Sequence, residues 1–375
     1  MYKIMTPGPT QVMENVRLAR SLECTNPDLD ESFVEFYKET CDKISALLDT
    51  KNETLILSGE GILGLEAACV SLTEPGDKVL VLDNGVFGRG FADFVTMYGG
   101  EPELYTMDYR NTIDVDALAE FLKEHHDYKF ATVVHGDTPS GMLNDVSRIC
   151  PLLKQYGILT VVDSVSAMFG EELHVDAAQI DILCGGSQKV VSAPPGLTLV
   201  TVSQDAKEAM AARKTPIPSF YANLQIFDDY YEHKWFPYTM PISDIFGLRA
   251  AVDNIENDPD LLARHARIAR ATREAFVAAG LELYLESGHS NTVTVFTVPE
   301  QTSDLAILRT MREDYGIMIA GSFDVFAGKV IRIGHMGANA TVENMIETLA
   351  GLDGTFAKLG VPLQASLEDV FKENI

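Results

Sequence analysis

Residues 157–163 read GILTVVD, and residues 180–189 read IDILCGGSQK. Each contains a short apolar run that ends at polar residues, which is the pattern of a buried strand followed by a loop. The first run ends at Asp163, and the second leads to Lys189, which lies 26 residues further on. We therefore expect Asp163 and Lys189 to follow two neighbouring strands of one sheet.

The same alternation of short apolar runs and amphipathic stretches extends over residues 54–203. This rhythm is typical of βαβ units, and it predicts an α/β fold with a mostly parallel, doubly wound sheet. Helices are predicted in between, for example at residues 62–72, 114–125 and 146–156. The predicted strands are residues 54–57, 78–82, 103–107, 130–135, 158–163, 181–184 and 197–202.

Polar loops follow five of these strands, at residues 58–61, 84–88, 137–141, 163–166 and 187–189. Ligands bind beyond the carboxyl ends of the strands in such sheets. A lysine amine can hold an aldehyde covalently, and a carboxylate can keep a pyridine nitrogen protonated. Asp163 and Lys189 at neighbouring strand ends can reach opposite ends of one ring, so the pair indicates pyridoxal chemistry.

The chain has 375 residues, which predicts two domains rather than one. After residue 203 the pattern changes to a helix through about residue 213 and then to a Pro- and aromatic-rich stretch. We predict an N-terminal arm at residues 1–15, a large cofactor-binding domain at residues 16–256 and a smaller C-terminal α+β domain at residues 257–375. In the C-terminal part we expect helices at 243–256 and up to 279, strands near 291–298, 317–320 and 329–333, and a closing helix from 341.

The net charge of −26 argues against nucleic acid and anionic membrane surfaces as partners, because both require clusters of Lys and Arg. The five cysteines are scattered, without a CxxC pair or zinc spacing, so we expect no disulfide framework and no metal site. No apolar run reaches the roughly 18 residues of a membrane span. We therefore expect a soluble, cytoplasmic protein that holds any anionic substrate through a local positive group.

Eight short motifs in this order resemble the class V aminotransferases of pyridoxal fold type I. They are TPGP at residues 6–9, GLEAA at 64–68, EPGDKV at 74–79, NGVFG at 84–88, DSVS at 163–166, SQK at 187–189, APPG at 193–196 and RIGHMG at 332–337. Each is weak alone, but together they span nearly the whole chain. The likeness is greatest to the alanine–glyoxylate and serine–pyruvate aminotransferase group, and in particular to pyridoxamine–pyruvate transaminase.

The resemblance implies roles around the ring of pyridoxal 5′-phosphate. Lys189 would hold the cofactor as a Schiff base and then move the proton between substrate and cofactor, while Asp163 would bond the pyridine nitrogen. Phe87 and Val165 would pack on the two ring faces, and Thr138 would bond the ring oxygen. A core phenylalanine, a strand-end valine and a turn-stabilising threonine stay open as simpler interpretations of these three.

The resemblance also implies the reaction, which is amino transfer between a small donor of alanine or serine type and pyruvate or glyoxylate. Arg332 would grip the substrate carboxylate through a bidentate pair, and Gly8 would lie beside the substrate. A single arginine favours small neutral donors over glutamate.

At the phosphate end, the resemblance implies main-chain N–H donors at Ser58 and Gly59 and a side-chain donor at Gln188. A threonine of the partner subunit, here Thr239, would complete this site. A site assembled from two chains implies a homodimer.

Glu60 departs from the usual pattern of alanine–glyoxylate enzymes, which have His or a small polar residue there, and Phe236 replaces a tyrosine that would reach the phosphate. A carboxylate about 4–5 Å from a phosphate costs roughly 3–4 kcal/mol per charge pair at an effective dielectric near 20. Pyridoxamine–pyruvate transaminase, which uses the unphosphorylated vitamer as a substrate, has Glu here and is therefore the alternative function. Against it, Phe323 stands where that enzyme has a second arginine, and Gln188 where it has Asn. Glu60 swinging outward to pair with Lys or Arg also stays open.

A class V lyase of the cysteine desulfurase type shares the fold, the aspartate and the lysine. It places a histidine immediately before the lysine and needs a mobile catalytic cysteine. Here Gln188 precedes Lys189, and none of the cysteines lies in a late Gly/Ser-rich loop, so the sequence favours an aminotransferase over a lyase.

Overall fold

The computed structural model describes residues 2–375. Its strands are β1 (Lys3–Ile4), β2 (Glu53–Ser58), β3 (Lys78–Asp83), β4 (Glu101–Thr106), β5 (Phe130–Val134), β6 (Gly136–Asp137), β7 (Met142–Leu143), β8 (Leu159–Asp163), β9 (Ile182–Gly186), β10 (Leu197–Val202), β11 (Val293–Thr297), β12 (Ile317–Met318) and β13 (Val330–Gly334). Its α-helices are α1 (Glu14–Ala19), α2 (Glu31–Leu47), α3 (Gly61–Leu72), α4 (Val86–Met97), α5 (Val115–Glu124), α6 (Val146–Lys154), α7 (Gln204–Ala211), α8 (Ile242–Glu256), α9 (Leu261–Ala278), α10 (Asp304–Tyr315), α11 (Val342–Leu359) and α12 (Leu367–Asn374).

The central sheet has seven strands in the order β2-β10-β9-β8-β5-β3-β4. β10 runs antiparallel to both of its neighbours, and the other adjacent pairs are parallel. Strands β5 and β9 are buried along their whole length, as expected for strands covered on both faces by helices. The predicted α/β class with a mostly parallel sheet is confirmed, and each predicted strand of this sheet is found, displaced by at most two residues at either end.

Helix α4 is a difference from the sequence-based expectation, which treats residues 84–88 as a loop. The helix begins at Val86, so Phe87 lies in its first turn. The sequence does not predict this helix because three glycines lie at its start, and glycine lowers helix propensity. They are Gly85, Gly88 and Gly90. Gly88 is needed for packing, since a Cβ atom there would lie 2.8 Å from the carbonyl oxygen of Leu82 in β3.

The buried apolar residues form two clusters. The larger cluster surrounds the central sheet, and the smaller one joins Met5 to residues between Ile268 and Phe371. The smaller cluster packs α9 to α12 around the antiparallel pair of β11 and β13. The domain limits at residues 15/16 and 256/257 stay a prediction.

The N-terminal arm is tied to the far end of the chain. β1 pairs in parallel with β12, and the Met5 carbonyl accepts a hydrogen bond from the Gly334 N–H at 2.8 Å. The strand predicted at residues 317–320 covers only Ile317–Met318, and the strand that it pairs with lies in the N-terminal arm. Within residues 2–375, no helix combines the length and the apolar character that crossing a membrane requires.

Candidate active site

A cavity of about 310 Å³ opens at the carboxyl edge of the central sheet. The strands β2, β3, β5, β8 and β9 all point their carboxyl ends to this edge, which brings their loops together as predicted. The predicted site residues that line the cavity are Gly8, Glu60, Phe87, Thr138, Asp163, Val165, Gln188 and Lys189.

Lys189 extends from the turn after β9 towards the N-terminal arm. Its Nζ atom donates hydrogen bonds to the Pro7 carbonyl oxygen at 2.6 Å and to Thr138 Oγ1 at 3.3 Å. Gly8 has φ +114°, and a Cβ atom there would lie 2.5 to 2.6 Å from Cδ, Cε and Nζ of Lys189, so only glycine permits this contact. Burial, together with the positive charge of Arg332, lowers the pKa of Lys189 to about 8. About a tenth of the amine is therefore neutral at pH 7, and this neutral form is the one that a nucleophile or a base requires.

Asp163 ends strand β8, and its Oδ1 atom accepts a hydrogen bond from the Val165 N–H at 2.9 Å. Burial raises the pKa of this carboxyl to about 7. A cationic N–H group placed against it favours the charged carboxylate and lowers the pKa again. Asp163 is thus prepared for a positively charged ring nitrogen.

The side chains between Asp163 and Lys189 fit a flat aromatic ring. Phe87 and Val165 both line the cavity, and Thr138 is buried with its hydroxyl towards Lys189. A Cβ atom at Gly61 would lie 2.7 Å from Val165 Cγ2, so the first turn of α3 leaves just enough room for this valine. The pyridine ring of pyridoxal and its ring oxygen fit the residues present here.

The opposite end of the cavity is occupied by the carboxylate of Glu60. Glu60 is the N-cap of α3: Oε1 accepts a hydrogen bond from the Ile62 N–H at 3.2 Å, and Oε2 accepts one from Gln188 Nε2 at 3.0 Å. The N–H of Gly59 is already donated to the Gly196 carbonyl at 2.8 Å. A helix N-terminus is a natural seat for an anion, and here the chain's own carboxylate takes it. Glu60 therefore points towards Gln188 and does not swing outward to a lysine or arginine.

Two further buried polar groups lie at the cavity without a partner. Within residues 2–375, neither Ser166 Oγ nor Gln188 Oε1 has a hydrogen-bond partner. The Glu60 carboxylate and Gln188 Oε1 are acceptors, which suits a hydroxyl group better than a phosphate, whereas the Ser166 hydroxyl can donate as well as accept. The motif DSVS contains Ser166, but nothing in its sequence shows that the hydroxyl reaches the cavity.

Arg332 lies in β13, just outside the lining of the cavity. Its Nε atom donates to the Gly321 carbonyl at 2.7 Å. Burial lowers the pKa of Arg332 to about 10, and the nearby carboxylate of Asp137 opposes this shift. The guanidinium is therefore partly desolvated and close enough to Lys189 to influence its pKa, as a carboxylate-binding group beside the reactive amine must be.

Asp137 is a buried group that the sequence motifs do not single out. Its Oδ2 atom accepts hydrogen bonds from the Ser140 N–H at 3.0 Å and from Ser140 Oγ at 2.5 Å, while Oδ1 is buried without a partner. Burial raises its pKa to about 6. The quoted run at residues 137–141 places this carboxyl beside Thr138, but burial of its side chain has no signal in the sequence.

Besides Arg332, three of the predicted residues do not line the cavity of their own chain. Ser58 and Gly59 precede Glu60 at the end of β2 without lining it. Thr239 is exposed, and its hydroxyl donates to Asp28 Oδ2 at 3.1 Å. A role for Thr239 in a partner's site stays a prediction. Phe236 lies in the core of its own chain against Tyr37 and other aromatic rings.

Comparison with known proteins gives a consistent result. The family model for aminotransferase class V matches residues 6–332. The chain is 34% identical over 374 residues to an uncharacterized aminotransferase of Methanocaldococcus jannaschii, covering 99% of this chain and 96% of the relative. It is 35% identical over 342 residues to the pyridoxamine–pyruvate transaminase of Mesorhizobium japonicum, covering 89% and 86%. Among solved structures, the ureidoglycine–glyoxylate aminotransferase from Bacillus subtilis superposes with a TM-score of 0.95 at 28% identity, covering 100% of this chain and 97% of the other.

Proposed function

Because this chain belongs to the class V aminotransferase family, we propose that it moves an amino group between a small donor of alanine or serine type and pyruvate or glyoxylate. Enzymes of this family depend on pyridoxal 5′-phosphate, which supplies the electron sink for amino transfer. The observation that carries the proposal is one cavity that holds Lys189 and Asp163, with Arg332 beside it.

The chain's own residues divide the work of the reaction. Lys189 would hold the cofactor and, once freed as a neutral amine, would move a proton from the donor's α-carbon to the C4′ carbon of the cofactor. The Pro7 carbonyl and the Thr138 hydroxyl keep its Nζ atom at the cavity. Asp163 would keep the ring nitrogen protonated, and Arg332 would orient the donor through its carboxylate.

A direct assay tests this proposal. The purified protein, supplied with pyridoxal 5′-phosphate, is incubated with L-alanine or L-serine and with glyoxylate or pyruvate, and the new amino acid and 2-oxo acid are quantified. We expect equal amounts of the two products, and none from the Lys189→Ala variant. Release of ammonia or sulfide without a new amino acid contradicts the proposal and favours a lyase.

A second candidate function, transamination between free pyridoxamine and pyruvate, is favoured by the position of Glu60. Its carboxylate takes the N-terminus of α3 where a phosphate would bind, and it accepts hydrogen bonds from the Ile62 N–H and from Gln188 Nε2. Gln188 Oε1 is a second acceptor at this end and has no partner within residues 2–375. An acceptor-rich end suits the hydroxymethyl group of the unphosphorylated vitamer. The test supplies pyruvate with either pyridoxamine or pyridoxamine 5′-phosphate and measures the alanine formed. Turnover with the free vitamer as a consumed substrate supports this function, and strict dependence on the phosphorylated form rejects it.

We also propose a cytoplasmic homodimer in which Thr239 enters the partner's site. Support comes from the segment at residues 215–241, where Phe220, Tyr221 and Trp235 are more than half exposed. Exposed aromatic side chains in a group are typical of protein interfaces. Sedimentation of the purified protein at two times the monomer mass of 41.1 kDa is the expected result, and a monomer contradicts it.

A further inference from the structure

Arg332 and the loop at residues 320–323 form one rigid unit. The backbone N–H of Arg332 donates to the Ala320 carbonyl at 2.7 Å, and the Ala320 N–H donates back to the Arg332 carbonyl at 3.1 Å. The side chain adds a third bond, from Nε to the Gly321 carbonyl at 2.7 Å. The position of the guanidinium is therefore tied to the residues that follow Ala320 in the loop.

This unit fixes how a substrate carboxylate approaches Arg332. With Nε already bonded, the remaining fork consists of the two terminal nitrogens of the guanidinium, which make no hydrogen bond with residues 2–375. A bidentate pair with a carboxylate uses two parallel N–H groups of this kind. The free fork accommodates one carboxylate in one orientation.

Phe323 closes one side of this fork. Its ring centroid lies 5.6 Å from Cζ of Arg332 and 5.9 Å from the ring centroid of Phe87, with an angle of 75° between the two aromatic rings. Phe323 thus bridges the arginine and the aromatic side chain on the cavity wall. It is 42% exposed, so it stands at the mouth of the site and is not part of the core.

We propose that Phe323 is a specificity-determining residue, which selects donors with a small uncharged side chain and rejects those with a second carboxylate. The inference rests on the proposed aminotransferase function and names the substrate class of that site. A carboxylate against the ring meets the negative face of the aromatic system and loses water without gaining a partner. A methyl or hydroxymethyl group meets neither cost, and its apolar part is shielded from water.

The first experiment compares L-alanine with L-glutamate as donors in three variants. Phe323→Arg places a second cation beside Arg332, and we expect the ratio of kcat/KM for glutamate to that for alanine to rise by about tenfold or more. Phe323→Leu keeps the wall apolar and should leave this ratio within about twofold, with a higher KM for alanine. Val325→Arg is the matched control, because Val325 is 49% exposed two residues further on and its variant adds the same charge.

The second experiment measures binding without turnover. Titration calorimetry of the apoprotein with propionate and with succinate reports the affinity for one and for two carboxylates. We expect the wild type to bind propionate more tightly, and Phe323→Arg to reverse this order.

Two results overturn the inference: a wild type that uses glutamate as well as alanine, or a Phe323→Arg variant whose donor ratio and binding order match those of Val325→Arg. Failure of every variant and of the wild type to transaminate any amino acid rejects the proposed function instead, and the calorimetric order still tests Phe323.

Discussion

The two ends of the cavity differ in how far the protein satisfies its own polar groups. At the reactive end, Lys189 and Asp163 are held in an environment that disfavours their charged forms, with pKa values of about 8 and about 7. At the other end, the Glu60 carboxylate already bonds to the Ile62 N–H and to Gln188. The charged groups that would satisfy the reactive end must come from a ligand, whereas the carboxylate at the anchoring end is already bonded within the chain and only Gln188 Oε1 beside it has no partner within residues 2–375.

The largest effect should come from removing the amine at the reactive end. We expect Lys189→Ala to lower kcat by at least about a thousandfold, because both the covalent attachment and the proton transfer use this side chain. Circular dichroism checks that the variant folds, and steady-state amino transfer gives the rate. Near wild-type turnover in this variant would show that Lys189 takes no part in the chemistry. The assignment of the reactive end would then be wrong.

Asp163→Asn should lower activity by about a hundredfold while making the apoprotein more stable. The pKa of Asp163 is raised to about 7 in the folded state, above an unfolded value of about 3.9. The folded state therefore binds more protons between these values, and the carboxyl destabilises the fold fully above pH 7 and progressively less as the pH falls. The Tm of the variant should exceed that of the wild type at pH 8 and match it near pH 4. An equal Tm of variant and wild type at pH 8 would contradict the conclusion that the buried carboxylate of Asp163 destabilises the fold.

Arg332→Leu should raise KM for both the amino acid and the 2-oxo acid by roughly 30-fold, the loss of a charge-assisted bonded pair worth about 2 kcal/mol. Arg332→Lys should recover only part of this loss, because an ammonium group cannot make the forked pair. The contrast between the two variants is the useful measurement. KM values equal to the wild type in both variants would mean that charge and fork are both unimportant, and that the carboxylate binds elsewhere.

The smallest and most selective effect should come from Glu60→Gln at the anchoring end. The amide can still cap α3, but the charge is gone, so binding of pyridoxal 5′-phosphate should tighten by about tenfold while use of free pyridoxamine weakens. Glu66→Gln is a matched control, because Glu66 lies on the same helix and bonds to Tyr98 outside the cavity. Titration of the apoproteins with both vitamers gives the result. Parallel losses for both vitamers would indicate a folding defect and leave no distinction between phosphorylated and free forms at this end.

The sequence predicts the reactive end well because that end follows from strand ends. Asp163 is the last residue of one buried strand and Lys189 lies in the turn after the next, and parallel neighbours must bring such positions to one edge. The sequence of residues 58–61 likewise predicts a turn that leads into a helix. Side-chain orientation is different: the contact of Glu60 with Gln188 depends on rotamers of residues 128 positions apart, and no local pattern encodes it.

Long-range strand pairings and helices that begin with glycines are also hard to predict from the sequence. Phe87 lines the cavity as expected, but it lies in a helix that the sequence does not predict because of Gly85 and Gly88. The pairing of β1 with β12 joins strands too short for any periodic pattern. Asp137 belongs to β6, a strand of only two residues, and it bonds to Ser140, so a carboxyl predicted to lie in a loop is buried near Arg332 and Lys189.

The pairing of β1 with β12 has a consequence for folding order. Lys3 is synthesised more than 300 residues before its partner Ile317. Contacts of such long sequence separation form late, because loop closure costs entropy before any contact rewards it. We therefore expect the carbonyl of Pro7 and the close contact of Gly8 with Lys189 to reach their final positions only after residue 317 has been made. Until then the cavity lacks the part of its wall that the arm supplies.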